Sequence, residues 1–384
     1  ILSADKTSMD GGITRIGIRK IEFKGKDGFW LNGKLSDKLI GGNRHQDYAY
    51  VGNAVANSQH WRDAKKLRDA GCRIIRVAHY PQDPSFMDAC DELGMFVIVA
   101  TPGWQYWNKD PKFADLVYDD IRNMIRRDRN HASVLMWEPI LNETRFPLEF
   151  SLKARDITQA EYLGASCVAD HHSAGVADNY EVVYGWPKDV GNFNQCIFTR
   201  EFGENVDDWY AHNTNNRASR SWGEGPLLIQ ALQLAKAYNE MYPESKQFIG
   251  GALWHPFDHQ RGYHPDPYWG GIMYAFRQPI YSYYMFKSQV DASLKHPTSE
   301  TGPMLFIAHE ISLFSSTDVT VFTNCDEVRL IMYETDTLIQ KVPRQEYCMP
   351  NPPVTFKNVY EFNKMRIYPY VEKNWKKVSF VAGG

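Results

Sequence analysis

Short apolar segments alternate with amphipathic helical segments from about residue 38 to about residue 290, and this alternation restricts the fold more than any other feature. Eight apolar segments read as strands: KLIGGNRH, CRIIRVAH, MFVIVATPG, SVLMWEPILNE, SCVAD, EVVYGW, CIFTREFG and FIGGALWHPF. Strands that alternate with helices predict a parallel sheet covered by helices. Eight such units without an obvious switch point favour a closed (β/α)8 TIM barrel of the α/β class over an open sheet.

The segments on either side of the barrel read as β structure. Before it, ITRIGIRKIEF alternates in hydrophobicity, and FWLNGK after an Asp-Gly pair indicates a hairpin arm. Beyond about residue 300 the helical periodicity ends, and short strands at regular spacing predict a β-sandwich. The predicted domains are therefore a β lead-in over 1–35, the barrel over 36–297 and the β-sandwich over 298–384.

The composition narrows the class of function. The chain has 43 basic and 46 acidic residues with mixed signs, so its net charge of −3 gives no basis for binding nucleic acid or an anionic membrane surface. No apolar run reaches the roughly 18 residues of a membrane span. The six cysteines have no CxxC pair and no metal-ligand spacing, which favours buried thiols. The cellular compartment stays unknown, and a periplasmic or secreted location is favoured over a cytoplasmic one.

Several predicted strands end in polar residues that a packed barrel layer would not select. They are Arg44 and His45, Arg76 and His79, Asn142 and Glu143, Glu201, and Trp254 and His255. Catalytic groups of such barrels lie at the carboxyl ends of the strands, where the loops form a mouth. Two carboxylates on one mouth can protonate a glycosidic oxygen and attack, or activate water, on the opposite face of the sugar. The pair Glu143 and Glu201 therefore predicts glycoside hydrolysis.

Longer motifs around these residues resemble a known family. They are GGNRHQD, IIRVAHYPQDPSFMDACDELGMFVI, RRDRNHASVLMWEPILNET, TREFGE and GGALWHPFDHQRG. Together with RKIEF and FWLNGK, they cover nearly all of residues 15–290 and resemble the barrel of family 2 glycoside hydrolases, the β-galactosidase, β-glucuronidase and β-mannosidase group. TVFTNCDEVRL resembles the start of the immunoglobulin-like β-sandwich that follows that barrel. The resemblance implies a retaining exo-β-glycosidase, most similar to the β-galactosidases.

The resemblance implies roles at the catalytic centre. Glu143 would be the acid/base, Glu201 the nucleophile, and Asn142 a donor to the 2-hydroxyl of the sugar. Arg76 would hold the charge and the orientation of the nucleophile. Elementary electrostatics agrees, because a guanidinium beside Glu201 would keep that carboxylate ionised, while a less solvated carboxyl near it would have its pKa raised into the range of an acid.

The resemblance also implies contacts around the sugar ring. His45 and His79 would contact the ring at the cleaved bond, and Trp254 would form its aromatic floor, since an indole suits the apolar face of a pyranose. Tyr184, at the end of the sixth strand, would hydrogen-bond near the nucleophile. The sequence leaves the roles of several neighbouring side chains open: Trp104, Trp107, His171, His172, Glu204, His255, His259 and His264.

Two departures from the family pattern bear on the chemistry. The spacing from Trp137 to Glu143 is one residue longer than the usual W-x-x-x-N-E and contains a second carboxylate, Glu138, which could share or take the acid/base role. The Mg²⁺-using galactosidases carry an acidic residue and a histidine after the third strand, whereas this chain has TPGWQYW, without a hard-cation ligand. We therefore expect no active-site metal and no other cofactor.

The expected substrate is an oligosaccharide with a terminal β-linked sugar, most similar to a β-galactoside. The loop DHQRGYHPDPYWGGIMYAFRQP lacks the Asn-x-Lys clamp of the family's glucuronidases, which disfavours β-glucuronidase. A β-glucuronidase or a β-mannosidase of the same family remains an alternative, as does a non-catalytic carbohydrate-binding barrel. The oligomeric state stays open, a homo-oligomer included. The chain begins without the jelly roll and first immunoglobulin-like domain that precede such barrels, so we expect further N-terminal β domains in the native protein.

Overall fold

The computed structural model describes residues 2–203, 217, 223–260, 267–332, 336–362 and 379–383. The described chain enters the barrel through a small antiparallel sheet of three strands: β1 (Ile21–Phe23), β2 (Phe29–Leu31) and β3 (Lys34–Leu35). Phe29 of this sheet is buried against residues inside the barrel, among them Leu39 and Ile74 near the starts of their strands. The small sheet therefore closes the N-terminal end of the barrel interior.

Eight parallel strands form the barrel. They are β4 (Leu39–Arg44), β5 (Ile74–Val77), β6 (Phe96–Ala100), β7 (Val134–Glu138), β8 (Val168–Asp170), β9 (Val182–Tyr184), β10 (Cys196–Phe202) and β11 (Phe248–Leu253). Each of them falls within one of the eight segments expected to be strands, so the predicted TIM barrel is confirmed.

The strand order β7-β6-β5-β4-β11-β10-β9-β8 is closed into a barrel by one further contact. A parallel bridge joins Trp137 on β7 to Cys167 beside β8, and the N–H of Trp137 donates to the carbonyl oxygen of Ser166 at 2.9 Å. Because closure brings all carboxyl ends to one mouth, side chains far apart in sequence become neighbours there.

Helices cover the outside of the barrel. They are α1 (Asn57–Asp69), α2 (Pro84–Leu93), α3 (Pro111–Asp128), α4 (Leu148–Glu161), α5 (Val176–Asn179), α6 (Glu224–Glu240) and α7 (Tyr281–Lys287). Two of them begin with an aspartate followed by a proline: the carboxylates of Asp83 and Asp110 accept from the second residue of α2 and α3. This is a favoured start because the cap satisfies a free N–H and proline needs none. Gly94 ends α2 in a left-handed conformation.

Two antiparallel sheets follow the barrel and form the predicted β-sandwich. Their strands are β12 (Leu305–Ala308), β13 (Val319–Thr323), β14 (Glu327–Met332), β15 (Asp336–Lys341), β16 (Val354–Phe356) and β17 (Ser379–Gly383), in the orders β12-β13-β16 and β15-β14-β17. Val321 and Phe356 from one sheet share a buried core with Val328 and Leu330 from the other. Polar contacts tie this unit to the barrel, since the N–H of Asn351 donates to Gln289 at 2.9 Å.

Besides the strands and helices, the fold has a large cleft and mostly buried cysteines. A cleft of about 1160 Å³ lies where the barrel strands begin, next to the C-terminal sheets and away from the mouth. Five of the six cysteines are buried and Cys348 is exposed. Within the described ranges, no helix combines the length and the apolar character needed to cross a membrane. The domain limits at 35/36 and 297/298 stay predictions.

Two glycines allow neighbouring strands to approach closely. A Cβ on Gly41 of β4 would lie 1.6 Å from the carbonyl oxygen of Ile74, and a Cβ on Gly250 of β11 would lie 2.1 Å from that of Leu39. Gly250 also has a φ of +145°, which side chains rarely adopt. The strand pairs β4–β5 and β4–β11 therefore need glycine at these positions.

We expect Gly250→Ala to lower the free energy of unfolding by more than the ~1–3 kcal/mol of a strained backbone alone, because the new methyl group also meets the Leu39 backbone. Gly164→Ala is the matched control, since Gly164 has a φ of +80° but no atom within 4 Å of the added Cβ. Urea unfolding followed by circular dichroism measures both losses. Equal losses would contradict the steric explanation.

Candidate active site

Arg76 of β5 is the centre of the mouth. Its buried Nε and Nη2 donate to the two carboxylate oxygens of Glu138 at 2.6 and 2.7 Å. The hydroxyl of Tyr184 donates to the same carboxylate at 2.8 Å and accepts from Nε of Arg76 at 3.2 Å. Burial has the largest single effect on the pKa of Arg76 and lowers it, but the charge and hydrogen bonds of Glu138, with Tyr184 and Glu201, together outweigh burial and hold that pKa well above its usual value. Arg76 is therefore a permanently charged, rigidly held cation.

The remaining donors of Arg76 reach three other strands or loops. Nη1 donates to Oδ1 of Asn43 at 3.0 Å and to Oε1 of Glu201 at 3.1 Å. Nη2 donates to Oδ1 of Asn142 at 3.1 Å. The side chain of Glu201 is 13% exposed, so its carboxylate combines a buried anchor with access to the mouth.

Glu143 lies on the loop after β7, which pairs with the loop after β6. The N–H of Asn142 donates to the carbonyl oxygen of Gly103, and the N–H of Gln105 donates back to that of Asn142. Glu143 and Gln105 both adopt left-handed backbone conformations, with φ of +49° and +54°. Oε2 of Glu143 accepts from the indole N–H of Trp104 at 2.9 Å and from Nε2 of Gln105 at 2.8 Å. The paired loops thus orient this carboxylate.

Arg200 of β10 lies between the carboxylates of the mouth. Nη1 donates to Asp170 at the end of β8 at 2.6 Å, and Nη2 donates to Oε1 of Glu143 at 3.1 Å. Nε lies 3.5 Å from Oε1 of Glu201. One guanidinium therefore contacts both carboxylates that the sequence indicates as catalytic.

The environment of Glu143 favours its charged form. Burial has the largest effect on the pKa of Glu143 and raises it. The N–H donors of Trp104 and Gln105 and the charge of Arg200 act in the other direction and outweigh burial. The pKa of Glu143 consequently lies below its usual value in the substrate-free site, so the expectation of a raised pKa was wrong there, because it counted burial and not these donors.

Aromatic and imidazole rings line the other half of the mouth. The ring of His79 is nearly parallel to those of Trp254, 5.5 Å away, and Trp104, 6.4 Å away. His45 meets His79 and Trp254 edge-on and stacks on His259 at 4.4 Å. Trp104 is 48% exposed, whereas Trp254 is only 4% exposed. These rings follow β4, β5, β6 and β11. The ionic groups lie on or after β7, β8 and β10, with the exception of Arg76 on β5.

The arrangement combines two carboxylates on different strands, fixed cations and flat apolar rings, which are the parts that glycoside hydrolysis requires. The family described as glycosyl hydrolases family 2, TIM barrel domain, matches residues 21–276. The chain belongs to glycosyl hydrolase family 2.

Similar proteins of family 2 include two named β-galactosidases. The protein from Thermoanaerobacter pseudethanolicus is 28% identical over 92% of this chain and 48% of its own length. The protein from Thermoanaerobacterium thermosulfurigenes is 31% identical over 88% of this chain and 48% of its own. The chain therefore spans about half the length of these curated relatives.

A crystal structure of Bacteroides uniformis β-glucuronidase has the same fold. It superposes with a TM-score of 0.70 at 21% sequence identity and covers 89% of this chain and 45% of its own. At this identity the likeness shows the shared family 2 fold and no more.

The structure brings all eight predicted site residues of the family 2 barrel to the carboxyl ends of its strands. They are His45, Arg76, His79, Asn142, Glu143, Tyr184, Glu201 and Trp254. Glu138, the alternative acid/base, is 1% exposed and has both oxygens bound by Arg76. Tyr184 donates to Glu138, a contact that the sequence did not predict. The individual roles stay predictions.

Other polar and aromatic residues take structural positions. Arg44 ends β4 but points away from the mouth, and its guanidinium pairs with buried Asp63 of α1 at 2.7 Å. Trp107, considered for sugar stacking, packs against Phe150. Nδ1 of His171 lies 2.6 Å from the carbonyl oxygen of Tyr184. Glu204 and His264 lie outside the described residues.

Five contributors to the site were missed or undervalued from the sequence: Asn43, Trp104, Gln105, Asp170 and Arg200. Asp170 and Arg200 stand at or near the ends of predicted strands, so the rule used for the other polar residues would have found them. Trp104 and Gln105 gave no such signal, because their position depends on the pairing of two loops that are distant in sequence.

One cluster in the described part of the chain has the composition of a metal site. Asp88, Asp91 and His131 lie close together, on α2 and on the turn before β7, away from the mouth. Asp91 accepts from the N–H of Ser133 at 2.7 Å and lies 2.8 Å from Nδ1 of His131. These bonds fasten the start of β7, so the cluster already has a structural use.

Arg76→Met should lower the free energy of unfolding by ~3–5 kcal/mol, because it leaves the buried Glu138 carboxylate without a counter-ion. Arg126→Met is the matched control: Arg126 forms an exposed pair with Glu161, and its loss should cost about 1 kcal/mol or less. Adding Glu138→Leu to Arg76→Met should restore part of the loss. Urea unfolding measures all three variants, and equal losses for Arg76→Met and Arg126→Met would contradict the central role of the buried pair.

Proposed function

We propose that this family 2 barrel is a retaining, exo-acting β-glycosidase that releases a terminal β-galactose from an oligosaccharide, with Glu143 as acid/base and Glu201 as nucleophile. The observation that carries the proposal is the pair of carboxylates that approach the guanidinium of Arg200 to 3.1 and 3.5 Å, one from the loop after β7 and one from β10. Retaining hydrolysis needs two carboxyl groups close together, one for each side of the scissile bond.

The first step forms a covalent intermediate. Glu201 attacks the anomeric carbon, the bond from that carbon to the glycosidic oxygen breaks, and Glu143 gives its proton to the departing oxygen. Since Arg76 and Arg200 both contact Oε1 of Glu201, we assign the attack to Oε2. The products are an ester between the sugar and Glu201, an alcohol, and Glu143 as a carboxylate.

The second step releases the sugar. Glu143 takes a proton from water, the water oxygen bonds to the anomeric carbon, and the ester bond breaks to regenerate the Glu201 carboxylate. Two inversions at the same carbon retain its configuration. Across the mouth, His79 and the indoles of Trp104 and Trp254 suit the apolar face of a pyranose ring.

Galactose is favoured over other sugars by the sequence relatives. The two β-galactosidases are 28% and 31% identical over 92% and 88% of this chain, whereas the β-glucuronidase structure is 21% identical over 89% of it. A putative β-glucuronidase of Formosa agariphila is 36% identical, but over only 34% of this chain. The missing Asn-x-Lys motif after β11 also disfavours a sugar carboxylate. β-Glucuronidase and β-mannosidase activity are therefore the alternatives that a substrate panel must exclude.

The panel consists of p-nitrophenyl β-galactoside, β-glucuronide and β-mannoside, with release of p-nitrophenol followed by absorbance. We expect the highest kcat/KM with the galactoside. A preference for another sugar would correct the substrate, and no hydrolysis of any of them would favour a non-catalytic carbohydrate-binding barrel.

Azide separates the roles of the two carboxylates. In Glu143→Ala, an activated aryl galactoside should still form the intermediate, because its leaving group needs little protonation. A natural disaccharide should lose the ~10²–10⁴-fold contribution of general acid catalysis. Azide should then attack the accumulated intermediate and yield a β-glycosyl azide, identified by NMR.

In Glu201→Ala, azide should occupy the position of the nucleophile and yield an α-glycosyl azide. A β product from Glu201→Ala together with an α product from Glu143→Ala would show that the two roles are reversed. Gln159→Ala, on the outer helix α4, is a control that should leave both rates unchanged.

A further inference from the structure

Arg200 is held more firmly by one carboxylate than by the others. Its Nη1 donates to Asp170 at 2.6 Å, while Nη2 lies 3.1 Å from Glu143 and Nε lies 3.5 Å from Glu201. The side chain is 18% exposed, so these contacts are poorly screened by water. Asp170 therefore anchors a cation whose two other edges face the proposed catalytic pair.

The charges around this cation do not cancel. Glu138, Glu143, Asp170 and Glu201 provide four carboxylates, while Arg76 and Arg200 provide two guanidinium groups. Arg76 is largely neutralised by its bidentate pair with Glu138. Among the residues that the structure describes, Arg200 is thus the cation that lies beside both positions of the negative charge that the reaction moves.

The proposed reaction moves that charge from one side of Arg200 to the other. The first step requires Glu201 as a carboxylate and Glu143 with a proton, although the substrate-free site favours the charged form of Glu143. After it, Glu201 is a neutral ester and Glu143 is a carboxylate, because the proton has left with the glycosidic oxygen. The net charge beside Arg200 is the same in both states and only its position changes.

We propose that Arg200 is a positioning residue that serves as the shared counter-ion of both half-reactions, anchored by Asp170 and facing Glu201 before the sugar is transferred and Glu143 afterwards. The inference rests on the proposed function, since it takes Glu143 as acid/base and Glu201 as nucleophile. A cation fixed near both charge positions needs no reorganisation as the negative charge moves between them.

The proposal predicts how the proton on Glu143 responds to each neighbour. In the described part of the chain, the charged or titratable groups of this half of the mouth and its neighbours are Arg200 and Glu201 on β10, Asp170 on β8, Arg76 on β5, Glu138 on β7, Tyr184 on β9 and His79 after β5. Activity in the first step requires protonated Glu143, so kcat/KM falls as pH rises through the pKa of that group. Removing a cation raises this pKa, and removing an anion lowers it.

The test compares Arg200→Gln with Asp170→Asn, using an alkyl or sugar galactoside whose departure needs protonation. In Arg200→Gln the alkaline limb of kcat/KM should move up by roughly one pH unit or more, the size of shift that a close opposite charge produces. In Asp170→Asn the limb should move down, because an anion is lost and Arg200 is released toward Glu143. Arg200→Lys should return the limb toward its original position. Limbs that move the same way, or not at all, would overturn the proposal.

A second measurement uses the intermediate. With an aryl galactoside, Arg200→Gln should slow the second step more than the first, so kcat falls more than kcat/KM and the burst of phenol grows. Arg126→Gln, on the outside of α3, is the matched control and should change neither the pH profile nor the burst. Thermal unfolding of each variant establishes that the site is folded. A smaller burst in folded Arg200→Gln would contradict a role in the second step.

Glu143→Gln distinguishes failure of this inference from failure of the proposed function. Its kcat/KM should lose the alkaline limb. If the limb persists unchanged in Glu143→Gln, the acid/base assignment is wrong and the proposed function fails with it. If the limb disappears in Glu143→Gln but stays fixed in Arg200→Gln and Asp170→Asn, only the inference about Arg200 is wrong.

Discussion

The buried ion pair between Arg76 and Glu138 is the interaction on which the rest of the mouth depends. It joins β5 to β7 through two hydrogen bonds of 2.6 and 2.7 Å, and Tyr184 of β9 completes it. An arginine without these partners would be too costly to bury at the centre of a barrel. With them, its remaining N–H groups become fixed donors toward Asn142 and Glu201. Glu138 therefore acts as the support for Arg76, which explains a second carboxylate so close to Glu143.

The barrel divides its mouth into two halves of different chemistry. Loops after β4, β5, β6 and β11 supply rings, and β7, β8 and β10 with their following loops supply carboxylates and Arg200. The first set is contiguous in the strand order, and the second becomes contiguous once β9 is included, whose Tyr184 donates to Glu138, so the division follows from topology. A sugar ring is itself two-sided, with apolar C–H faces and polar edges, and a mouth of this kind can bind it in a single orientation.

The sequence predicted the barrel because the alternation of apolar strands and amphipathic helices has few other solutions. It predicted polar strand ends but could not say which of them face inward. On β4, Asn43 contacts Arg76 inside the barrel, while its neighbour Arg44 pairs with Asp63 outside the barrel interior. Both side chains are polar, so polarity alone does not distinguish the two directions. Arg200 was also missed, because the sequence places this arginine next to Glu201 without indicating any partner from other strands. Only the closed barrel brings Asp170 and Glu143 to the same guanidinium.

The left-handed backbone at Glu143 has a consequence for how selection acts on this chain. A φ of +49° suits glycine or asparagine better than glutamate, so stability by itself disfavours the residue present there. Without selection for function, mutation would replace this glutamate by a residue that suits a positive φ. The replacement would make the folded protein more stable. Glutamate at this position therefore indicates selection for something other than stability. Functional positions are where natural sequences depart from the residues that an ideal fold would use.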